Sequence, residues 1–251
     1  MTANKLAARR GGGAILAYTK KVLRPLKPVL GPIWKPIRPM IEKPPPPAGE
    51  QLRAELRKAR GSKDVLASDA PIRPITKPEF DELAARAPYY RARWSYMSVV
   101  GALTEDLILR HHLTTALELG AHLRPVIVGA DVMALSHLED LEAEGQEIIH
   151  DATVAPWPVA DKAYDLFVAL QVFEHLGEKQ PQTFAEIRRV AKHAILSLPI
   201  DWQMADPTNC HHMLSNEKVL SWFAPVKPTR IELGTGGTKK RFVYLFEDLP
   251  A

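Results

Sequence analysis

The spacing of apolar residues divides the chain into a helical part and a later part made of short strands. Between positions 77 and 112, apolar side chains recur at steps of three and four residues, which predicts helix. Beyond position 113 the apolar runs are short and β-branched, and they predict strands at 114–120, 125–131, 146–152, 164–171 and 193–199. Helical patterns separate most of these strands, at 134–144, 182–191 and 216–223.

Near-continuous apolar strands that alternate with helices are typical of a parallel sheet covered on both faces. Two further strand-like runs, 229–234 and 241–247, flank the Gly-rich segment GTGGTKK and predict a hairpin. The predicted fold class is therefore α/β, a Rossmann-like doubly wound and mostly parallel sheet with an antiparallel C-terminal hairpin and helices on both faces.

Residues 1–49 differ in composition from the rest of the chain. Nine of the 22 prolines lie between Pro25 and Pro47, and proline blocks helix interiors. Residues 1–43 carry ten Lys and Arg against one acidic residue. The whole chain has a net charge of +4, so the body of the chain, residues 44–251, has a net charge of −5. We predict a basic, Pro-rich arm at 1–49, extended or disordered, then a short helix at 50–61 and one α/β domain at 62–251.

The basic arm is compatible with several roles. A solvated tail, contact of residues 1–43 with an anionic membrane surface, and contact with a partner protein or nucleic acid all fit its composition. The negative body argues against extensive binding of nucleic acid, because phosphate contacts need Lys and Arg. The oligomeric state stays open.

Cysteine content and hydropathy bear on the compartment. The single cysteine, Cys210, excludes a disulfide within this sequence and fits a reducing environment. The early apolar piece AILAY is too short for a secretory signal, and no run approaches the roughly 18–20 apolar residues of a membrane span. We expect a cytoplasmic protein, peripheral at the inner membrane face if the arm binds anionic lipid.

Polar side chains follow the predicted strand ends, where open α/β sheets bind their ligands. These residues are Glu118, Gly120, Asp131, Asp151, Ala152, Gln171, Glu174 and His175, and after the fifth strand Cys210, His211 and His212. Their convergence on one edge predicts a binding or catalytic site.

Several of these blocks resemble the class I S-adenosylmethionine-dependent methyltransferases in their small type 11 form. The resemblance covers about residues 110–247 and rests on ALELG, on HDATVAPWP, on YDLFVALQVFEHL followed by FAEIRRVAKHAILSLP, and on the closing hairpin. It implies that residues 62–251 form a methyltransferase-like domain with S-adenosylmethionine as cofactor.

The resemblance also implies roles for individual residues. Gly120 would let the backbone approach the methionine moiety, Asp131 would hold the ribose hydroxyls, and Asp151 with the Ala152 amide would read the adenine edge. The predicted cofactor-binding set further includes Glu118 and Gln171. One departure stands out: the first motif has Gly120 alone, so the crossover before Asp131 has little or no helix.

Glu174 and His175 allow two kinds of chemistry. Some O-methyltransferases similar to this chain, including the plant small-RNA 2′-O-methyltransferases, bind a divalent metal through Glu-x-x-Glu-His and a later His. That likeness implies a Mg²⁺ or transition-metal site at Glu174, His175, His211 and His212, although Gln171 replaces the first Glu. Without a metal, His175 or His212 would act as general base beside Glu174.

Structural alternatives exist for the same residues. Glu174 could favour the dipole at a helix N-terminus while His175 merely packs. Cys210 beside two histidines suggests a thiol nucleophile, but no hydrolase motif accompanies it.

The expected activity is O-methylation of a small-molecule or glycan acceptor, at a hydroxyl on a sugar, glycan or glycolipid. The alternatives are a non-catalytic scaffold that kept the fold and an RNA 2′-O-methyltransferase.

Overall fold

The computed structural model describes residues 48–236 and 239–250, so the predictions for residues 1–47 lie outside the described residues. The helices are α1 (Ala48–Arg60), α2 (Lys77–Arg86), α3 (Trp94–His111), α4 (Gln180–Val190) and α5 (Asn216–Phe223). The strands are β1 (Arg73–Pro74), β2 (Ala116–Leu119), β3 (Ile127–Val128), β4 (Asp131–Ala134), β5 (Glu147–Ile149), β6 (Tyr164–Leu170), β7 (Ala191–Ile200), β8 (Arg230–Gly236) and β9 (Lys239–Phe246). Short 3₁₀ turns lie at Pro88–Tyr90 and Phe173–His175.

Seven strands form one sheet in the order β5-β4-β2-β6-β7-β9-β8. β5, β4, β2, β6 and β7 run parallel, and β9 and β8 add the antiparallel C-terminal hairpin. The predicted fold class is confirmed. Because parallel neighbours align their carboxyl ends, the residues that follow β2, β4, β5, β6 and β7 share one edge of the sheet.

Alternate strand residues supply two cores, one on each face of the sheet. In β6, Leu166 and Val168 pack with the side chains of α1 and α3, whereas Phe167 packs with those of α4 and α5. Burial on both faces explains why the strand sequences are continuously apolar and do not alternate. The helix α1 joins the first core through Leu52 and Leu56.

Two segments differ from the predicted elements. The helix predicted over 77–112 is interrupted at Pro88, which cannot continue α2. The strand predicted at 125–131 is two strands, since the chain turns at Gly129 (φ +82°) between β3 and β4. β3 pairs antiparallel with β1, outside the large sheet. The positive φ suits glycine, and a Cβ there would strike the Pro71 carbonyl.

The helix predicted at 134–144 is absent, because that segment forms turns and its side chains are mostly exposed. Leu135, for example, is 74% exposed. An amphipathic pattern without a surface to cover does not stabilise a helix of this length. No helix formed by the described residues is both long and apolar enough to cross a membrane.

Candidate active site

A cavity of about 450 Å³ opens at the carboxyl edge of the parallel strands. Gly120 after β2, Asp151 and Ala152 after β5, and His175 after β6 all line it. The structure thus brings these four predicted residues together around one space. The floor is largely apolar, with Leu119, Met133 and Val172 among its members.

At Gly120 the absence of a side chain would let a ligand in the cavity approach the backbone closely. Its φ of +76° is in the left-handed region, which L side chains rarely adopt. A Cβ at this position would lie 2.7 Å from Cγ2 of Val172. Glycine is therefore required here by conformation and by space together.

Asp151 and Ala152 form a turn whose polar groups are held in place. Asp151 Oδ1 accepts hydrogen bonds from the backbone amide and the hydroxyl of Thr153, at 2.9 and 2.7 Å. These bonds, the amide first, hold the pKa of Asp151 below its ordinary value, so the exposed carboxylate is ionised at neutral pH. The Ala152 carbonyl accepts from Trp157 Nε1 and Thr183 Oγ1.

The prediction for Asp131 is wrong. Asp131 begins β4 and does not end a strand, so it lies at the amino edge of the sheet, away from the cavity. Its carboxylate accepts from the Tyr164 hydroxyl at 2.6 Å and from the Gln146 amide at 2.7 Å. At the carboxyl tip of β4 stand Leu135 and Ser136, which line the cavity.

Glu118 and Gln171 do not line the cavity. Glu118 Oε2 accepts from the amides of Val126 and Ile127, at 2.7 and 3.1 Å, and so fixes the loop between β2 and β3. Burial raises the pKa of Glu118 to about 8, against the lowering effect of those two hydrogen bonds. Gln171 accepts from Arg241 Nε at 3.1 Å and lies beside Ser197.

Glu174 is the least satisfied polar group at this edge. Its side chain is fully buried, and neither carboxylate oxygen has a hydrogen-bond partner among the described residues. The nearest charged partner is His211, whose Nε2 lies 3.4 Å from Oε1. A buried acid without hydrogen bonds is costly, so the position calls for a proton, a protonated neighbour or a cation.

Three side chains cluster next to Glu174. The ligand atoms of His175, Cys210 and His211 all lie within 4.8 Å of one another, which is compatible with a shared metal ion. Cys210 Sγ is 3.4 Å from His175 Nδ1, and the two imidazole rings meet edge to face at 4.9 Å.

The structure places His212 outside the cluster of His175, Cys210 and His211, against the predicted metal-ligand role. His212 Nδ1 faces the backbone of Met204, at 3.2 Å from its amide and 3.1 Å from its carbonyl, so this ring closes its own loop. Cys210 occupies the place in the cluster that the sequence assigned to His212. The adjacency of Cys210 and His211 in the chain was the available signal, because consecutive loop residues can share a ligand.

The Cys210 thiol is not an activated nucleophile. Burial raises the pKa of Cys210, and the nearby Glu174 carboxylate raises it further. Reactive cysteines need surroundings that lower this pKa. The position of Cys210 beside His175 and His211 fits packing, or a ligand role in which a bound metal ion displaces the thiol proton.

The residues present fit S-adenosylmethionine in part. The Gly120 cradle and the ionised Asp151 could hold the methionine and adenine ends. The ribose acid expected at Asp131 is missing from the cavity, and Ser136 is the polar side chain nearest in the chain to the tip of β4. The cavity thus fits the cofactor without a carboxylate for the ribose.

Comparisons with known proteins agree with this architecture. Residues 115–194, about a third of the chain, match a family model described as "Methyltransferase domain". No curated protein matches the chain.

Among solved structures, the chain is similar to a SAM-dependent methyltransferase from Methanosarcina mazei, with 10% identity, a TM-score of 0.41, and coverage of 55% of this chain and 93% of that one. It is also similar to the N-methyltransferase NodS from Bradyrhizobium japonicum, with 13% identity, a TM-score of 0.43 and coverage of 65% and 98%. The CurJ carbon methyltransferase gives 12% identity, a TM-score of 0.47 and coverage of 69% and 60%. The family match supports a methyltransferase domain over residues 115–194.

Proposed function

We propose that this chain transfers a methyl group from S-adenosylmethionine to a hydroxyl oxygen on a sugar, glycan or glycolipid. One observation carries the proposal. His175 lines the cavity at the carboxyl edge, and the next residue in the chain, Glu174, is a buried acid without a hydrogen-bond partner among the described residues, 3.4 Å from His211. Hydroxyl groups are weak nucleophiles, so a site for O-methylation needs groups that remove a proton.

The cavity residues would position the reactants. When bound, S-adenosylmethionine supplies an electrophilic methyl group. Gly120 lets the backbone approach the amino-acid end, and Asp151 accepts hydrogen bonds from the adenine end. Methyl transfer requires in-line alignment of the two reactants, so much of the catalysis would come from such positioning.

His211 is our candidate for the general base. With its Nε2 facing Glu174 Oε1 at 3.4 Å, we assign the ring proton to Nε2, which leaves Nδ1 able to accept the proton of an acceptor hydroxyl. The buried carboxylate would then stabilise the imidazolium that forms. His175, whose ring contacts that of His211 at 4.9 Å, would orient the acceptor at the cavity wall.

A divalent metal at the same place is the second form of this proposal. Two imidazoles, one thiol and one carboxylate suit Zn²⁺ or another transition metal, whereas Mg²⁺ prefers oxygen ligands. The orphaned oxygens of Glu174 support a cation there. His175, Cys210 and His211 would hold the ion, and Glu174, 3.4 Å from His211, would offset its charge or join as a further ligand. A bound metal lowers the pKa of a coordinated hydroxyl.

Two rivals stay open, as does the place of action. A non-catalytic scaffold is favoured by the missing ribose carboxylate, since Asp131 lies at the far edge. An RNA acceptor is disfavoured by the net charge of −5 outside residues 1–43. We further propose that the protein is cytoplasmic and that its basic residues 1–43 bind anionic lipid, so deletion of residues 1–48 should abolish binding to anionic vesicles.

A methyl-transfer assay tests the proposal. The full chain is incubated with methyl-labelled S-adenosylmethionine and, in parallel, with glycan, glycolipid and RNA acceptors. We expect label in an ether bond on a sugar oxygen of the glycan or glycolipid. Label only at nitrogen, at carbon or on RNA would overturn the assignment of acceptor, and binding of cofactor without transfer to any acceptor would favour the scaffold.

A further inference from the structure

Arg93 and Arg241 are two guanidinium groups without a carboxylate partner. Neither forms an ion pair with any described residue, although most other arginines in the folded part of the chain do so or hold exposed positions. Arg241 is only 7% exposed, and Arg93 is half-buried. Burying a cation without a counter-charge is costly, which makes the pair unusual for a purely structural element.

Arg241 lies near the start of β9, opposite the end of β7, and two aromatic rings lie close to its guanidinium group. Its Cζ lies 4.9 Å from the centre of the Tyr96 ring and 4.7 Å from that of Trp202. In the sheet it pairs with Pro199 of β7 on one side and Gly234 of β8 on the other. Gly234 has no side chain to separate Tyr96 from the sheet, so the Tyr96 ring can approach Arg241.

Arg93 approaches the same tyrosine from the start of α3. Its Nε donates to the Tyr89 carbonyl at 2.6 Å, and its Nη1 donates to the Tyr96 hydroxyl at 3.1 Å. Its Cζ stacks 3.9 Å from the centre of the Tyr89 ring. Tyr96 therefore contacts both guanidinium groups, one through its hydroxyl and one through its ring.

Several donors of the two groups have no acceptor. Arg241 uses Nε for Gln171, and no hydrogen bond to a described residue is formed by its two Nη atoms or by Nη2 of Arg93. None of these atoms is sealed from solvent, because the buried and unpaired arginine nitrogens among the described residues are confined to Arg60. Each of these donors therefore keeps some contact with solvent and has an unused hydrogen for an acceptor.

These donors lie beside the candidate active site. The Trp202 ring that stacks on Arg241 also meets the ring of His211, at 5.6 Å between centres. Gln171, the hydrogen-bond partner of Arg241, follows the last residue of β6. Burial lowers the pKa of Arg241 because it disfavours the charged guanidinium, and a bound anion would offset that cost. The Glu174 carboxylate interacts with both arginines, but only at longer range than an ion pair.

We propose that Arg93 and Arg241 bind a carboxylate or phosphate group of the acceptor, so that the substrate is an acidic sugar rather than a neutral one. The proposal rests on the methyltransferase function above and narrows its substrate class. Guanidinium forks match planar and tetrahedral oxyanions, and aromatic neighbours hold the forks in one orientation. An anion held at Arg241, with Trp202 as the shared wall, leaves a neighbouring hydroxyl facing His211.

Calorimetry with matched sugars tests this inference. The full chain, saturated with S-adenosylhomocysteine, is titrated at constant ionic strength with D-glucuronate, D-glucose 6-phosphate and D-glucose as probes. We expect at least one acid to bind about tenfold or more tightly than glucose. Arg241→Gln and Arg93→Gln should each remove that preference, Arg241→Lys should keep part of it, and Arg91→Gln, at an exposed neighbouring position, should leave it unchanged.

Binding of S-adenosylhomocysteine itself separates the possible failures. If the cofactor product binds but both acids bind no more tightly than glucose, or if the preference survives both Gln variants, the inference is overturned. Loss of affinity for S-adenosylhomocysteine in Arg93→Gln or Arg241→Gln with unchanged acid preference would assign the arginines to the cofactor and also overturn it. A wild-type chain that does not bind S-adenosylhomocysteine would instead count against the proposed function, and the acids are then titrated alone.

Discussion

His211 Nε2 lies 3.4 Å from Oε1 of a Glu174 carboxylate that is fully buried and accepts no hydrogen bond from the described residues. Such an arrangement destabilises the fold, because removing a carboxylate from water costs several kcal/mol. The relationship makes Glu174 the residue whose substitution should separate stability from activity most clearly.

Glu174→Gln should therefore lower methyl transfer about 100-fold or more while leaving the free energy of unfolding unchanged or raised. The amide keeps the volume of the side chain but cannot stabilise an imidazolium. Steady-state rates and urea unfolding measure the two effects. Glu178→Gln, at an exposed position in the same loop, is the control and should change neither. Full activity in Glu174→Gln would remove Glu174 from the mechanism.

Metal binding should depend on Cys210 and not on His212. Purified chain loaded with Zn²⁺ should retain about one ion after dialysis, and His175→Ala or Cys210→Ala should retain much less, since each removes a ligand. His212→Ala should retain the ion, because that ring faces Met204. Metal content is measured by mass spectrometry. Equal retention in all variants, or no retention by the wild type, would contradict the metal site. General-base catalysis would then be the remaining mechanism.

Asp131 and Asp151 should respond in opposite ways to the same substitution. Asp131→Asn weakens the hydrogen bonds with Tyr164 and Gln146 and should cost about 1–2 kcal/mol of stability, with unchanged affinity for S-adenosylhomocysteine. Asp151→Asn should leave stability nearly unchanged and weaken that affinity about tenfold. Thermal unfolding and calorimetry distinguish the two. Loss of affinity in Asp131→Asn would contradict its placement at the amino edge.

Gly120→Ala should be more damaging than Gly177→Ala. Both glycines have positive φ, +76° and +62°, so both substitutions cost about 1 kcal/mol or more in backbone conformation. Only the Cβ at 120 meets a neighbour, Cγ2 of Val172 at 2.7 Å. The difference between the two variants in stability and in affinity for S-adenosylhomocysteine thus measures the Val172 contact. Equal effects would mean that no close approach is needed there.

Glu118 should make the protein less stable as the pH rises. Its folded pKa, raised by burial to about 8, exceeds the value of 4.5 for an unfolded chain. Between these values the native state holds a proton that the unfolded state has lost, so stability falls by at most about 1.4 kcal/mol per pH unit. Urea unfolding from pH 5 to 8 should show this slope, and Glu118→Gln should remove its share. A slope unchanged in Glu118→Gln would show that Glu118 is ionised when folded.

The long apolar strands were predictable because burial on both faces leaves an uninterrupted hydrophobic run. Tyr164–Leu170 and Ala191–Ile200 therefore lie within a few residues of their predicted bounds. The antiparallel hairpin was predictable from the Gly-rich segment that connects its two strands. Local sequence and tertiary burial agree in these elements.

The region around β4 was not predictable in the same way. β4 has four residues, and β3 has two, which pair with β1. Strands this short have too little periodicity to be told apart within one apolar run. Because of that ambiguity, the prediction placed Asp131 at the end of a strand and so at the carboxyl edge of the sheet. In the structure Asp131 begins β4 and lies at the opposite edge. His212 was misplaced for a related reason: loop direction depends on backbone hydrogen bonds that no periodic pattern encodes.

Titration of the full chain with S-adenosylhomocysteine tests the central claim most directly. We predict saturable binding with a stoichiometry near one, weakened in Asp151→Asn and Gly120→Ala and retained in Asp131→Asn. Absence of measurable heat at millimolar ligand, or binding that is indifferent to Asp151 and Gly120, would contradict a cofactor site at the carboxyl edge of this sheet.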